Sequence, residues 1–185
     1  MNYQVIRLSQ YEDIRSILKI QVDYGFMVVK LMNKIARKKT KVDDFVFISI
    51  GGDHSNKKIE NLNYKNGLIA FGLVKKAPFS IGKKHYGLFL EISYLFGLDS
   101  NKNNKTITRD RFYKYKDLKN LYAIGAMTKG EKNQAVSLIK KNDYENIIKA
   151  LIDLKQFSNS NNKILKKYNI SNNNLKKYTV NNIQV

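Results

Sequence analysis

The chain is predicted to fold as an α+β domain, a small curled or closed β-barrel with flanking helices. Three strand-like, aromatic-rich runs lie close together: Asp44–Ile50, Gly67–Val74 and Tyr86–Phe96, joined by lysine-rich connections. Each run is apolar on both sides. In the first, Phe45, Phe47 and Ser49 oppose Val46, Ile48 and Ile50. In the third, Tyr86, Leu88, Leu90, Ile92 and Tyr94 oppose Phe89, Glu91, Ser93 and Leu95, the period-2 alternation of a strand. A sheet with two apolar faces must be curled or covered, as in a small barrel. Glycines at 67, 72, 82, 87 and 97 suit the bends and bulges that closure requires, with turns at Pro78 and Gly82.

Along the chain, Met1–Leu8 alternates as a short strand or an ordered arm. Ser9–Glu12 has the spacing of a capping box and precedes Ile14, Ile17 and Leu18 at helical spacing. After Asp23–Gly25, the positions Val28, Leu31, Met32 and Ile35 make the apolar stripe of a second helix. Lys30, Lys34, Arg37, Lys38 and Lys39 lie largely off that stripe, as a solvated face or a phosphate contact. Beyond the three central runs, Asp99–Lys105 reads as a loop. Thr106–Tyr115 interleaves Arg109, Arg111, Phe112, Tyr113, Lys114 and Tyr115, which fits stacking and phosphate contact or, equally, a core Phe112 among solvated neighbours. Ala135–Ile139 suits a last short strand. Asn142–Glu145 repeats the capping spacing ahead of Ile147, Ile148, Leu151 and Ile152. The expected organisation is one domain over 1–155, with its barrel core at about 43–139, followed by a basic Asn- and Lys-rich linker or tail over 156–185.

The 185 residues carry 34 Lys plus Arg against 15 Asp plus Glu, a formal charge of +19. Self-repulsion of that size opposes the compact state, and a polyanion partner, nucleic acid foremost, explains its persistence. Coding bias toward Lys, Asn, Ile and Tyr contributes to the lysines but does not explain the scarcity of acids. With no cysteine there is neither a disulfide frame nor a thiolate zinc site, and two histidines are too few for a histidine-rich metal site. No apolar run reaches the roughly 20 residues of a membrane helix, and Glu12 and Asp13 stand where a signal peptide would be apolar, so a cytoplasmic protein is expected. For catalysis, Asp53, His54 and Ser55 are sequence neighbours rather than converging groups. A metal-dependent nuclease would need Asp43, Asp44, Asp53 or Glu91 to meet around Mg²⁺, which nothing in the spacing fixes. Neither catalytic residues nor a cofactor are therefore assigned.

Three segments in order, Asp44–Gly52, Asn66–Lys76 and Ile124–Ala135, resemble the EVE-type, PUA-like N-terminal domains of modified-cytosine restriction systems of the Mcr kind. The Gly125-x-x-Thr128-Lys129-Gly130-Glu131-x-Asn133-Gln134-Ala135 stretch is the most distinctive part. The resemblance, over roughly 40–153, implies a PUA-like barrel that captures a modified base flipped out of duplex DNA. It also implies partners: an AAA+ GTPase motor, in the same or a neighbouring chain, and a nuclease subunit. The chain has no Walker motif and no Trp for the aromatic cage of related readers, so Tyr or Phe would have to stack. A B3-like reader of unmodified DNA and an RNA-binding PUA-like module are the alternatives. For a flipping reader, Phe47 and Tyr86 are the stacking candidates, with Ser49, Asp53 and Asn133 for the polar edge of the base. Core packing explains Phe47 and Tyr86 equally well. Phosphate candidates are Lys38, Lys39, Lys57, Lys58, Lys75, Lys76, Lys83, Lys84, Arg109, Arg111 and Lys129.

Overall fold

A computed structural model describes residues 1–9, 11–19, 25–31, 40–51, 66–82, 86–96, 106–118, 121 and 136–154. The predicted helix after Ser9 is α1 (Tyr11–Lys19), with Glu12 and Asp13 at its positive end and Ile14 and Ile17 buried. The strands are β1 (Tyr3–Leu8), β2 (Gly25–Leu31), β3 (Phe45–Ile50), β4 (Gly67–Ser80), β5 (Tyr86–Leu95), β6 (Ile107–Thr108) and β7 (Val136–Ile139). A 3-10 turn follows β6 at Arg109–Phe112, and α2 runs from Lys141 to Asp153.

These strands form one mixed, seven-stranded sheet in the order β2-β5-β4-β3-β1-β7, with β6 added beside β4. Among the described residues, β1 and β3 pair in parallel and the other pairings are antiparallel. The path begins at β2 and ends at β7 without returning on itself, so the predicted curled or closed barrel is not formed. The reason lies in how the second apolar face is buried. Val46, Ile48 and Ile50 of β3 join Ile6, Leu8, Leu88, Leu90 and Ile92 under Ile14 and Ile17 of α1. Phe45 and Phe47 point the other way and pack with Tyr144, Ile147 and Leu151 of α2 and with Ile107, Phe112 and Leu118. Each face has its own covering layer, so neither needs the sheet to close.

Four further expectations are corrected. Gly25–Leu31, predicted to begin a helix, is a strand paired with β5. Its β-branched Val28-Val29 pair favours extended backbone, and Met27 and Val29 are buried while Phe26 and Val28 face out. Strand β4 does not end at Val74 but continues through Pro78, where irregular pairing with β5 removes the need for a proline N–H. In β5 the alternation changes partway. Phe71 pairs with Tyr94 and Gly72 with Ile92, leaving Ser93 as an extra residue. That bulge sends Tyr94 to the α2 side and Leu95 to the α1 side, reversing their predicted faces. Helix α2 starts two residues ahead of the Asn142 spacing: the Lys140 N–H donates to the Asp143 carboxylate at 3.1 Å, and Asp143 rather than Glu145 holds the first turn. The expected last strand is β7, and the 156–185 tail lies outside the described residues.

The central pairing is anchored by Asp44, a buried carboxylate at the turn ahead of β3. It accepts from the Asn2 N–H at 2.8 Å, Gln4 Nε2 at 2.6 Å and the Lys41 N–H at 2.9 Å. Thr40 Oγ1 donates to the same Gln4 side chain at 2.9 Å. The Phe45 N–H donates to the Asn2 carbonyl at 3.0 Å, so both strands of the parallel pair are fastened at their start. Gly72 is fixed by a close approach, since a Cβ there would collide with the Glu91 carbonyl oxygen of β5.

Asp44→Ala leaves several inward donors without an acceptor, and urea unfolding is expected to show a loss of about 3 kcal/mol. Gly72→Ala forces β4 from β5 and is expected to cost about 1–3 kcal/mol in the same measurement, because backbone rather than a movable side chain occupies the space.

Candidate nucleic-acid interface

Helix α2 and the 106–118 segment cover the part of their face formed by β1, β3 and the middle of β4. Leu73 is the last β4 residue beneath them. It pairs with Glu91, which in turn pairs with Phe26 on β2. From Phe26 onward the same face opens to solvent, with Phe26 50% and Val28 47% exposed.

The open face is aromatic and basic. Phe26 stacks on Phe89 with ring centroids 5.5 Å apart and planes only 6° from parallel. Phe79 lies across Gly87, where a Cβ would stand 2.6 Å from the ring, so this glycine makes room for an aromatic from the neighbouring strand. The lysines arrive through a second bulge. Val74 pairs with Leu90 and Lys76 with Phe89, leaving Lys75 as the extra residue. Strict alternation would send the two lysines to opposite faces. Instead Lys75 reaches Glu91 at 2.7 Å, while Lys76 opposite Phe89 holds its ammonium 4.8 Å from the Phe79 ring centroid. Glu91 is buried and would repel an anion alone, but Lys75 offsets it and Lys76 adds a second positive charge. The surface therefore offers ring faces for stacking and ammonium groups for phosphates.

The predicted site residues are dispersed. Phe47 is fully buried, edge-on to Phe45 at 5.0 Å and beneath Tyr144, and Ser49 is fully buried on the same face of β3. Tyr86 packs partly buried against the α1-side core, so the sheet separates it from Phe47. Lys75 and Lys76 stand on the open face, and Arg111 is exposed beside Phe112, which is core. Arg109 opens the 3-10 turn. Asp53, Asn133, Lys38, Lys39, Lys57, Lys58, Lys83, Lys84 and Lys129 lie outside the described residues, as do Thr128–Gln134. Of the suggested metal ligands, Asp44 holds the N-terminal strand and Glu91 holds Lys75. Among the described residues no three His, Cys, Asp or Glu gather in one place, and no helix is long and apolar enough to cross a membrane. Sequence reasoning missed Phe26, Val28 and Phe79. The first two fall in the run predicted to be helical, where the β-branched Val28-Val29 pair is the one local feature favouring a strand.

The aromatic-basic 106–115 segment is bound to α2 rather than left open. The Tyr115 hydroxyl donates to the Asp153 carboxylate, and Lys114 Nζ lies 3.1 Å from the same carboxylate and 4.9 Å from the Tyr115 ring centroid. The bond from Tyr115, reinforced by Lys114, holds the Asp153 carboxyl below its ordinary value. Burial, and then the bond to Asp153, raises the Tyr115 phenol, and contacts to Tyr115 and Asp153 raise Lys114. Compared with known proteins, the chain matches no family model and no curated protein sequence.

The sign of the Asp153 effect follows from its lowered value. Its stabilisation is fully present above the unfolded carboxyl value of 3.8 and disappears as pH falls through the lower folded value. Asp153→Asn is expected to be less stable than the native chain at neutral pH, with the difference shrinking toward zero in strong acid when unfolding is compared at the two pH values. Because both side chains are largely exposed, the neutral-pH difference is expected to be modest.

Proposed function

We propose that the chain is a DNA-binding recognition domain without chemistry of its own. The observation that carries this reading is the open sheet face, where the Phe26–Phe89 stack and Phe79 stand beside Lys75 and Lys76 on a molecule of formal charge +19. Lysines at the rim supply sequence-independent attraction to phosphates, which releases counterions and gives steep salt dependence. The rings supply a contact that a purely electrostatic surface lacks.

The setting we propose is a modification-dependent restriction system, in which such a domain delivers its target to a GTPase motor and a nuclease. What supports it is the local likeness of Asp44–Gly52, Asn66–Lys76 and Ile124–Ala135 to the readers of those systems. The barrel of those readers is not part of the support, and neither is a pocket between Phe47 and Tyr86, which lie on opposite faces.

Titration of labelled DNA at increasing salt is expected to show affinity falling linearly on logarithmic axes. Lys76→Ala should weaken binding about equally for every sequence and lower the salt slope by about 1. Absence of binding at low salt, or a clear preference for structured RNA, would remove the DNA reading. Comparing a methylated duplex with its unmodified twin tests the restriction setting separately, with tighter binding to the methylated duplex expected.

A further inference from the structure

The open face differs from an ordinary phosphate-binding surface in what its rings can do. Phenylalanine has no hydrogen-bonding group, so Phe26, Phe79 and Phe89 cannot read the donor and acceptor pattern of base edges. In a duplex, base edges are what the grooves present, while the base faces are sealed by their neighbours in the stack. Rings of this kind gain most from a base whose face is free.

We propose that this face binds unpaired DNA nucleotides, stacking bases on Phe26 and Phe89 while Lys75 and Lys76 hold the adjoining phosphates. The inference rests on the DNA-binding reading above and narrows it to single-stranded or locally opened DNA. Geometry supports the occupant. Phe26 is half exposed and nearly parallel to Phe89, so a base laid along this pair extends an existing stack instead of requiring new ring orientations. Val28, directly across from Phe89 on β2, continues the apolar floor. The two lysines lie along β4, on the opposite side of β5 from Phe26 and Val28. A strand of nucleic acid has this same division between bases and phosphates. Charge also separates this occupant from a second copy of the chain, which would bring +19 against +19.

The test uses the full chain and fluorescence anisotropy with three labelled DNAs of equal length: an oligothymidylate strand, an abasic strand with the same phosphates, and a duplex. The intact strand is expected to bind about five-fold or more tightly than the abasic strand. Phe26→Ala should bring the ratio of intact-strand to abasic-strand affinity close to one, and Phe26→Tyr, which keeps a ring, should retain the advantage. Equal binding of the native chain to intact and abasic strands overturns the stacking role and leaves DNA binding standing; this comparison needs no variant. Tighter binding to duplex than to either strand overturns it as well. Failure to bind any of the three at low salt overturns the DNA-binding reading itself. Concentration-dependent dimers lost in Phe26→Ala, without base-dependent binding, would assign the face to a second copy and overturn the proposal.

Discussion

The Asp44 carboxylate sits at the start of the parallel β1–β3 pairing, where donors from Asn2, Gln4 and Lys41 converge on it. Strand β1 enters the sheet between β3 and β7, so its placement determines whether β7 and the following α2 have anything to dock on. Hydrophobicity alone does not fix that placement, because β1 and β3 are apolar on both sides. A slip by one residue would exchange the faces of Val5 and Ile6 while still burying both. The polar cluster removes this ambiguity. Asn2 must meet Asp44 for the buried carboxylate to be satisfied, and Tyr3 then falls opposite Phe45 and against Tyr144. A buried charge whose donors come from one register selects that register more sharply than any apolar contact around it.

Once β3 is placed, two irregularities decide what each face becomes. The extra Ser93 turns Tyr94 and Phe96 toward Phe71 and completes the aromatic core beneath α2. The extra Lys75 does the opposite farther along, placing two lysines on a face that α2 no longer covers. The same β4–β5 ladder thus supplies an apolar core at one end and a charged aromatic surface at the other. No change of fold is needed between them.

The three central runs were legible because strict alternation and aromatic content mark buried strands, and α1, β7 and α2 followed from helical or extended spacing. Closure was not legible. Two apolar faces are compatible with a barrel or with two covering layers, and the covers, α1 and α2, come from segments remote in sequence. The site was less legible still. Phe47 and Tyr86 fit stacking and core packing equally well in sequence, yet Phe47 is interior and the two sit on opposite sides of the sheet. Lys75 and Lys76 were readable as phosphate contacts from charge. Phe26 was not, because over seven residues the pattern of Gly25–Leu31 also fits a helix, and only its pairing with β5 decides otherwise.

Leaving Phe26 and Val28 uncovered on a strand that ends the sheet path is a liability, since exposed apolar strands at such positions invite pairing with other chains. Charge makes it tolerable. Like-charged molecules at +19 approach one another poorly at low ionic strength, and the lysines beside the rings concentrate that repulsion at the exposed face. The same repulsion acts within the chain and lowers the stability of the compact state. A bound polyanion would relieve it, so under the proposed function ligand binding and folding would be linked through the charge. Added salt would screen the repulsion and weaken such binding together. In a neutral protein the uncovered rings would be a defect. In this one they are consistent with a sheet kept open for an anionic ligand with flat, apolar faces.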